Sequence, residues 1–411
     1  MFRTEYRKFC SLYHLDGQVS APDTPEDRST STWSAVTQGR DWRVETTYEF
    51  LRWEDIIRRD FEQPLWQPIL ASLREISRGL LDGGLFRIYR AHWRFGLFVL
   101  YPYVLLAFWT LLAFWTLLAA AGGVFAARVA ANATSFAAIP ELLGLGVAAA
   151  AFVAMVKLTE PATYMLYLFR DTVATCQYAR RGRPDWDERL DLFADYVVEA
   201  AQTATADEIV IVGHSSGSFI AVDTLTRALA RDPKLGQRGP RIVLLTIGAN
   251  LPIVGFQPAA SWFRERLARL AVDPSVDWDD YQSRRDIMNF FPFDPIAGHG
   301  IDLKDERFNP HVVPVQFRNI VTPERFAWLQ WRFFTLHFQF LRANERPASY
   351  DYFMIVAGPF WQALRVAMPD DVTAAVAGDD AAVRTAWDRI RARTDAEVAQ
   401  RTTDASIDRA A

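Results

Sequence analysis

The pentapeptide Gly213-His214-Ser215-Ser216-Gly217 is where residue types and spacing could do chemistry. It follows directly on Glu208-Ile209-Val210-Ile211-Val212, an apolar run of strand length. It runs into Ser216 to Ala230, whose composition suits a helix. A serine on such a tight strand-to-helix turn stands exposed beyond the strand, in a strained backbone conformation. The nearby helix N-terminus favours the negative charge that develops when a hydroxyl attacks a carbonyl carbon. Glycines two residues before and after would leave room where strand and helix nearly touch. The competing reading is an ordinary Gly/Ser turn, and the strand–helix context weighs against it. The chemistry would be nucleophilic. Ser215 attacks, a general base takes its proton, and a carboxylate orients the base.

These residues resemble the nucleophile elbow of the α/β-hydrolase superfamily. More narrowly, the chain is similar to lipase-like bacterial serine hydrolases with a membrane hairpin inserted ahead of the elbow. The likeness extends from Arg43 to about Gly358. Its weaker parts are Trp278-Asp279-Asp280-Tyr281 and His337-Phe338-Gln339. It implies the chain order Ser, Asp or Glu, His, with the site at the carboxyl ends of parallel strands.

Three histidines follow Ser215. His311 precedes an expected strand, Val312 to Ile320, which puts it at the wrong end of the sheet. His337 comes after that strand and is the favoured base, although it could instead pack among Trp331, Phe333, Phe334 and Phe338. His299, in Ala297-Gly298-His299-Gly300, lies on a loop that could also reach the site. Asp286 is five residues past the expected strand Val276 to Tyr281 and is favoured as the acid, because loops placing a triad acid are short. Asp294, in Phe293-Asp294-Pro295-Ile296, resembles the acid loop of lipases and is the alternative; before a proline it also suits a turn. One oxyanion donor would be the backbone N–H of Ser216. The second should come from a loop after an earlier strand. Tyr13-His14-Leu15-Asp16-Gly17 faintly resembles such a loop, but Arg7 to Leu12 makes a poor buried strand. Met1 to Leu15 reads as a helix, with Phe2, Tyr6, Phe9 and Tyr13 at helical spacing. The expectation is therefore an upstream start that encodes the missing strand and loop.

The elements that would position these groups alternate between strand and helix. Arg43 to Phe50, Glu208 to Val212, Arg241 to Ile247, Val276 to Tyr281 and Val312 to Ile320 are strand candidates. Helical material fills the stretch up to Arg94, and Asp187 to Thr203 reads as an amphipathic helix. Such alternation predicts a mostly parallel sheet covered by helices.

Into this pattern intrude two apolar segments. Phe95 to Ala127 runs 33 residues without a charge, where a span needs roughly 20. It contains the repeat Leu-Leu-Ala-Phe-Trp-Thr, at Leu105 to Thr110 and Leu111 to Thr116, read as compositional bias. Tyr101 and Tyr103 suit the headgroup level. A buried core helix of this length should show a polar face, and none is present. Ile139 to Leu158 is weaker, rich in Ala and Gly with Glu141 near its start, and would complete a hairpin. Arg74, Arg78, Arg87, Arg90 and Arg94 precede the pair, and Lys157, Arg170, Arg180, Arg181 and Arg183 follow; the connection has only Arg128. The positive-inside rule puts both flanking parts in the cytoplasm, at the inner membrane. A re-entrant hairpin is the alternative.

Composition excludes several classes. A net charge of −4 with a pI near 5.9 offers no basic surface for nucleic acid. Cys10 and Cys176 are too far apart for a disulfide framework or a cysteine metal site. Met1 to Glu5 has no apolar core of a cleavable signal. The expected architecture is α/β of the α/β-hydrolase type, with an inserted two-helix membrane hairpin. Residues 1–94 and 159–370 form the hydrolase domain, 95–158 the hairpin and 371–411 a polar helical or disordered tail. The expected function is membrane-anchored cleavage of a lipophilic ester by Ser215, His337 and Asp286, with no metal or organic cofactor. The rival from another class is a non-catalytic scaffold or binding module on the same fold. A transporter is disfavoured by having at most two spans and no inverted repeat.

Overall fold

The computed structural model describes residues 1–26, 28–130, 139–304, 306–378 and 380–410. The chain divides into two compact units, Met1–Ile56 with Pro184–Ala411, and Ile57–Arg183.

The first unit carries two sheets. Strands β1 (Asp16–Val19), β2 (Thr30–Gln38) and β3 (Arg43–Leu51) form an antiparallel sheet in that order. Strands β4 (Glu208–His214), β5 (Arg241–Ile247), β6 (Val276–Gln282) and β7 (His311–Pro314) form a parallel one, again in sequence order. The strand expected at Arg43 therefore exists but belongs to the antiparallel sheet. Its half-exposed alternation (Arg43 out, Val44 partly in, Glu45 out) is what one covered face produces. β5 is buried at every residue, as a central strand covered on both faces must be.

Val312 to Ile320 is not one strand. Pairing stops at Pro314, which has no N–H for the ladder, and Phe317–Ile320 turns into a short helix that buries Phe317 and Ile320. The N-terminal helix forms over Phe2–Leu12, and Tyr6 and Phe9 bury at helical spacing in a core shared with Leu245, Ile247, Phe340 and Phe353. In the C-terminal region the described residues are helical. Pro369–Ala377 and Asp380–Ala410 are helices, and Ala386 and Ile390 of the second pack with Phe360, Leu364, Val372 and Ala375.

The second unit is helical and extends beyond the two apolar segments on both sides. Its long helices are Trp66–Leu81, Trp93–Ala130, Ile139–Thr163 and Met165–Ala179. Two of them are long and apolar enough to cross a membrane, over Trp93–Ala126 (34 residues) and Gly144–Thr163 (20 residues). The most apolar stretch of the first has no buried residue, which is not how a core helix is packed. Most of the expected connection, residues 131–138, lies outside the described residues. Several polar groups inside the unit are paired, among them Glu75 and Tyr103. Glu75 takes two guanidinium bonds from Arg180, each 2.8 Å long. Tyr103 Oη lies 2.6 Å from Ser72 Oγ.

Candidate active site

β4 ends at His214, and Ser216 caps the helix Gly217–Arg231, so Ser215 alone makes the reversal. Its φ is +58°, in the left-handed region that costs a residue with a Cβ roughly 1–2 kcal/mol. Neighbours hold it there. Ser215 N–H donates to Ile247 O at 3.0 Å, pinning the turn to the end of β5. The Ser215 carbonyl accepts from the Ser218 amide at 3.0 Å and from Ser218 Oγ at 2.6 Å. Gly213 tolerates no side chain, because a Cβ would stand 2.5 Å from the Gly217 carbonyl oxygen and 2.8 Å from Ala221 Cβ. At Gly217 a Cβ would meet open space, so the crowding expected at the second glycine is absent.

His337 ends the short helix Phe333–His337 and is 1% exposed; Asp286, on the loop beyond β6, is 0% exposed. His337 Nδ1 lies 2.6 Å from Asp286 Oδ2. The loop fixes the carboxylate. Asp286 Oδ1 accepts from the Met288 amide at 2.9 Å, and Asn289 clamps the main chain of Ser283 and Asp286 through its side-chain amide. A carboxylate on Nδ1 requires the proton there and leaves Nε2 as a lone-pair acceptor. That Nε2 is buried and has no hydrogen-bond partner. This is the tautomer a general base needs.

The ring of His337 lies over Gly248, where a Cβ would come 3.0 Å from its Cε1. Gly248 follows β5 at φ +55°, which favours glycine at this position independently. On another side stands His214, with ring centroids 4.4 Å apart and its Nε2 3.2 Å from the His337 carbonyl oxygen. Burial, and then the charge of a protonated His337, hold His214 well below the ordinary histidine range. It packs as a neutral ring.

Asn250 also reaches the candidate site, and no sequence motif marks it. It is 5% exposed, and its Nδ2 donates to Ser215 Oγ at 3.2 Å while its amide donates to Ser218 Oγ at 3.1 Å. The available signal was its place just past β5, whose carboxyl end is level with the elbow through the pair His214↔Ile247.

The other candidates go elsewhere. Asp294 Oδ1 accepts from the amides of Ile296 and Ala297 at 2.8 and 2.9 Å, and its Oδ2 takes Arg307 Nη1 at 2.7 Å. Burial alone would raise its pKa, but Arg307 and the two amides hold it below the usual carboxylate range. It serves as a turn cap and ion-pair partner. His299 packs beside Phe256 and Phe293, with Nδ1 2.6 Å from Pro295 O, and burial pushes its pKa down to about 4. His311 opens β7 and meets Asp279 at 3.2 Å. In the Tyr13 to Gly17 segment, Tyr13 Oη donates to Asp351 at 3.2 Å, and Gly17 lies against Cys10 and Tyr6. Ser216 stands at the start of the elbow helix.

The arrangement joins a strained serine, an amide donor at its Oγ, and a carboxylate-oriented histidine at the carboxyl edge of one sheet. Among the described residues no group of three His, Cys, Asp or Glu side chains could hold a metal ion. No family model, curated protein or solved structure matches this chain.

Proposed function

We propose that this chain is a membrane-anchored serine hydrolase of the α/β-hydrolase type, cleaving esters through an acyl-enzyme. The observation that carries the reading is the buried His337–Asp286 pair at 2.6 Å, at the sheet edge where Ser215 sits at φ +58°. In this reading Ser215 Oγ attacks the ester carbonyl carbon and its proton passes to His337 Nε2. Asp286 keeps Nδ1 protonated and stabilises the imidazolium that forms. The tetrahedral oxyanion is met by the Ser216 N–H and by the side-chain amide of Asn250. The proton on His337 then goes to the departing alcohol. Water, deprotonated by the same histidine, attacks the acyl carbon, the Ser215 Oγ–C bond breaks, and the proton returns from His337 to Ser215 Oγ as the acid leaves.

The two apolar helices support anchoring at the inner membrane, with the hydrolase part on the cytoplasmic side. A lipophilic ester follows from that position. Two observations favour a non-catalytic module instead. Asn250 already donates to Ser215 Oγ, and His337 Nε2 makes no hydrogen bond. Catalytic hydrogen bonds do tighten when substrate binds. Labelling with a fluorophosphonate probe separates the two readings. The hydrolase is labelled at Ser215 and the Ser215→Ala variant is not; an unlabelled native protein supports the module.

A further inference from the structure

In the second unit the helix Trp66–Leu81 turns large apolar residues outward, with Ser77 exposed among them. Its inward face carries Ser72 and Glu75, both buried and both bonded within the unit, to Tyr103 and to Arg180. Its outward face carries Trp66, Leu70, Leu73, Leu80 and Leu81, with exposures of 60, 57, 39, 64 and 89%. At 100° per residue these five fall within about one-third of the circumference. A helix facing water usually carries polar residues on such a face. The stripe continues after the Asp82–Gly83 turn. Phe86 and Tyr89, three residues apart on Gly84–Ala91, are 67 and 45% exposed; beyond the extended His92, Trp93 and Leu97, four apart on the next helix, are 52 and 49% exposed. The last two already belong to the apolar helix Trp93–Ala130, where Val104 and Phe108 extend the exposed apolar surface. Arginines accompany it. Arg74 and Arg90 are exposed, and Arg94 stands over the Trp93 ring at 5.5 Å.

We infer that Trp66–Leu81 and Gly84–Ala91 lie flat in the interface of an anionic lipid bilayer, as a second anchor beside the spanning helices. The inference rests on the membrane reading above and adds the orientation and lipid contact of this segment. A helix of 16 residues is too short to cross, since a span needs roughly 20, and it ends in a turn with Gly83 at φ +74°. A broad apolar face with arginines and indole or phenol rings is the composition of an in-plane helix. The occupant is lipid, because the stripe is continuous with a helix whose most apolar stretch has no buried residue. The arginines match phosphate-bearing headgroups, with Trp66, Tyr89 and Trp93 at the depth where aromatic rings settle.

The test uses the full chain with Cys10 and Cys176 replaced by serine, reconstituted in vesicles of phosphatidylcholine and phosphatidylserine. Single cysteines at Leu70, Leu80 and Phe86 carry a nitrobenzoxadiazole label; Phe108→Cys reports the span and Gln237→Cys the aqueous side. Labels at the three stripe positions should be quenched several-fold more by lipid carrying doxyl near the headgroup than the label at Gln237, and should be shielded from iodide. If they are quenched by iodide like Gln237 while Phe108 reads deep lipid, the in-plane anchor is wrong and the span stands. If Phe108 also reads water, the membrane reading falls with it. Shielding of the stripe from both quenchers means a protein covers it and overturns the inference.

Discussion

The parallel sheet carries two histidine–aspartate pairs that differ in everything except residue type. At its carboxyl edge His337 meets Asp286 at 2.6 Å, with side chains 1% and 0% exposed. Along its body His311 meets Asp279 at 3.2 Å, with the histidine side chain 55% exposed and the aspartate buried. Asp286 is held by the amides of its own loop, and Nε2 of its histidine is buried without a hydrogen-bond partner. Asp279 is shared with Gln362 Nε2 at 2.8 Å, and its histidine is open to water. The hydrogen bond to Asp279 holds His311 above the ordinary histidine range, against burial, which pulls the other way. An oriented imidazole with a sheltered lone pair suits proton transfer; a solvated imidazolium on a carboxylate suits an ion pair. Surroundings separate the two roles.

The comparison can be broken at several points. The largest effect is expected from Ser215→Ala, which should lower kcat for a short-chain ester by about 10⁶ and abolish probe labelling. Turnover near the native rate would mean that the His337 pair serves no nucleophile. Next comes Asp286→Asn, expected to cost about 10⁴ in kcat by loss of the oriented tautomer. Asp294→Asn and Asp279→Asn, made in parallel, should leave kcat nearly unchanged. Similar small losses in all three variants would remove the distinction between the pairs. Asn250→Ala should cost about 10²–10³ in kcat with KM little changed, the signature of a donor used in the transition state. A rise in KM alone would show that it only shapes the site.

The smallest effect is on stability. Because the folded-state pKa of His311 lies above the unfolded value near 6.5, its ion pair contributes fully below that pH. The contribution is lost as pH rises through the folded pKa. His311→Ala should therefore lower stability in urea by roughly 0.5 kcal/mol at about pH 5.5 and by less at about pH 8.5. An equal loss at both values would assign the effect to packing.

Legibility followed the range of the interactions. The elbow could be read because strand, turn and helix are contiguous, and Gly213 is forced by atoms only four to eight residues away. The apolar helices could be read because composition alone sets them. The antiparallel sheet was read only at Arg43, since β2, Thr-Ser-Thr-Trp-Ser-Ala-Val-Thr-Gln, is mostly polar and its pairing depends on a partner. Val312 to Ile320 reads as one strand because Val312, Val313, Val315, Phe317 and Ile320 are β-formers, and Pro314 ends the ladder inside it. Loop length favours Asp286 over Asp294, whereas the groups that separate them in space are Met288 and Asn289 against Arg307.

By itself the sequence determined the tight turn at Gly213 to Gly217, the alternation behind the parallel strands β4 to β6, and the two apolar helices. Each is set by neighbours along the chain or by composition, where spacing and side-chain type suffice. Tertiary structure alone decided which carboxylate meets His337, that Gly248 makes room for the imidazole, that Asn250 reaches Ser215 Oγ, and that leucines of Trp66–Leu81 face outward. Those contacts join residues 35 to 105 positions apart, from Asn250 with Ser215 to Arg180 with Glu75. Only the packing of separate elements brings such residues within a hydrogen bond. Local propensity carries no record of that packing.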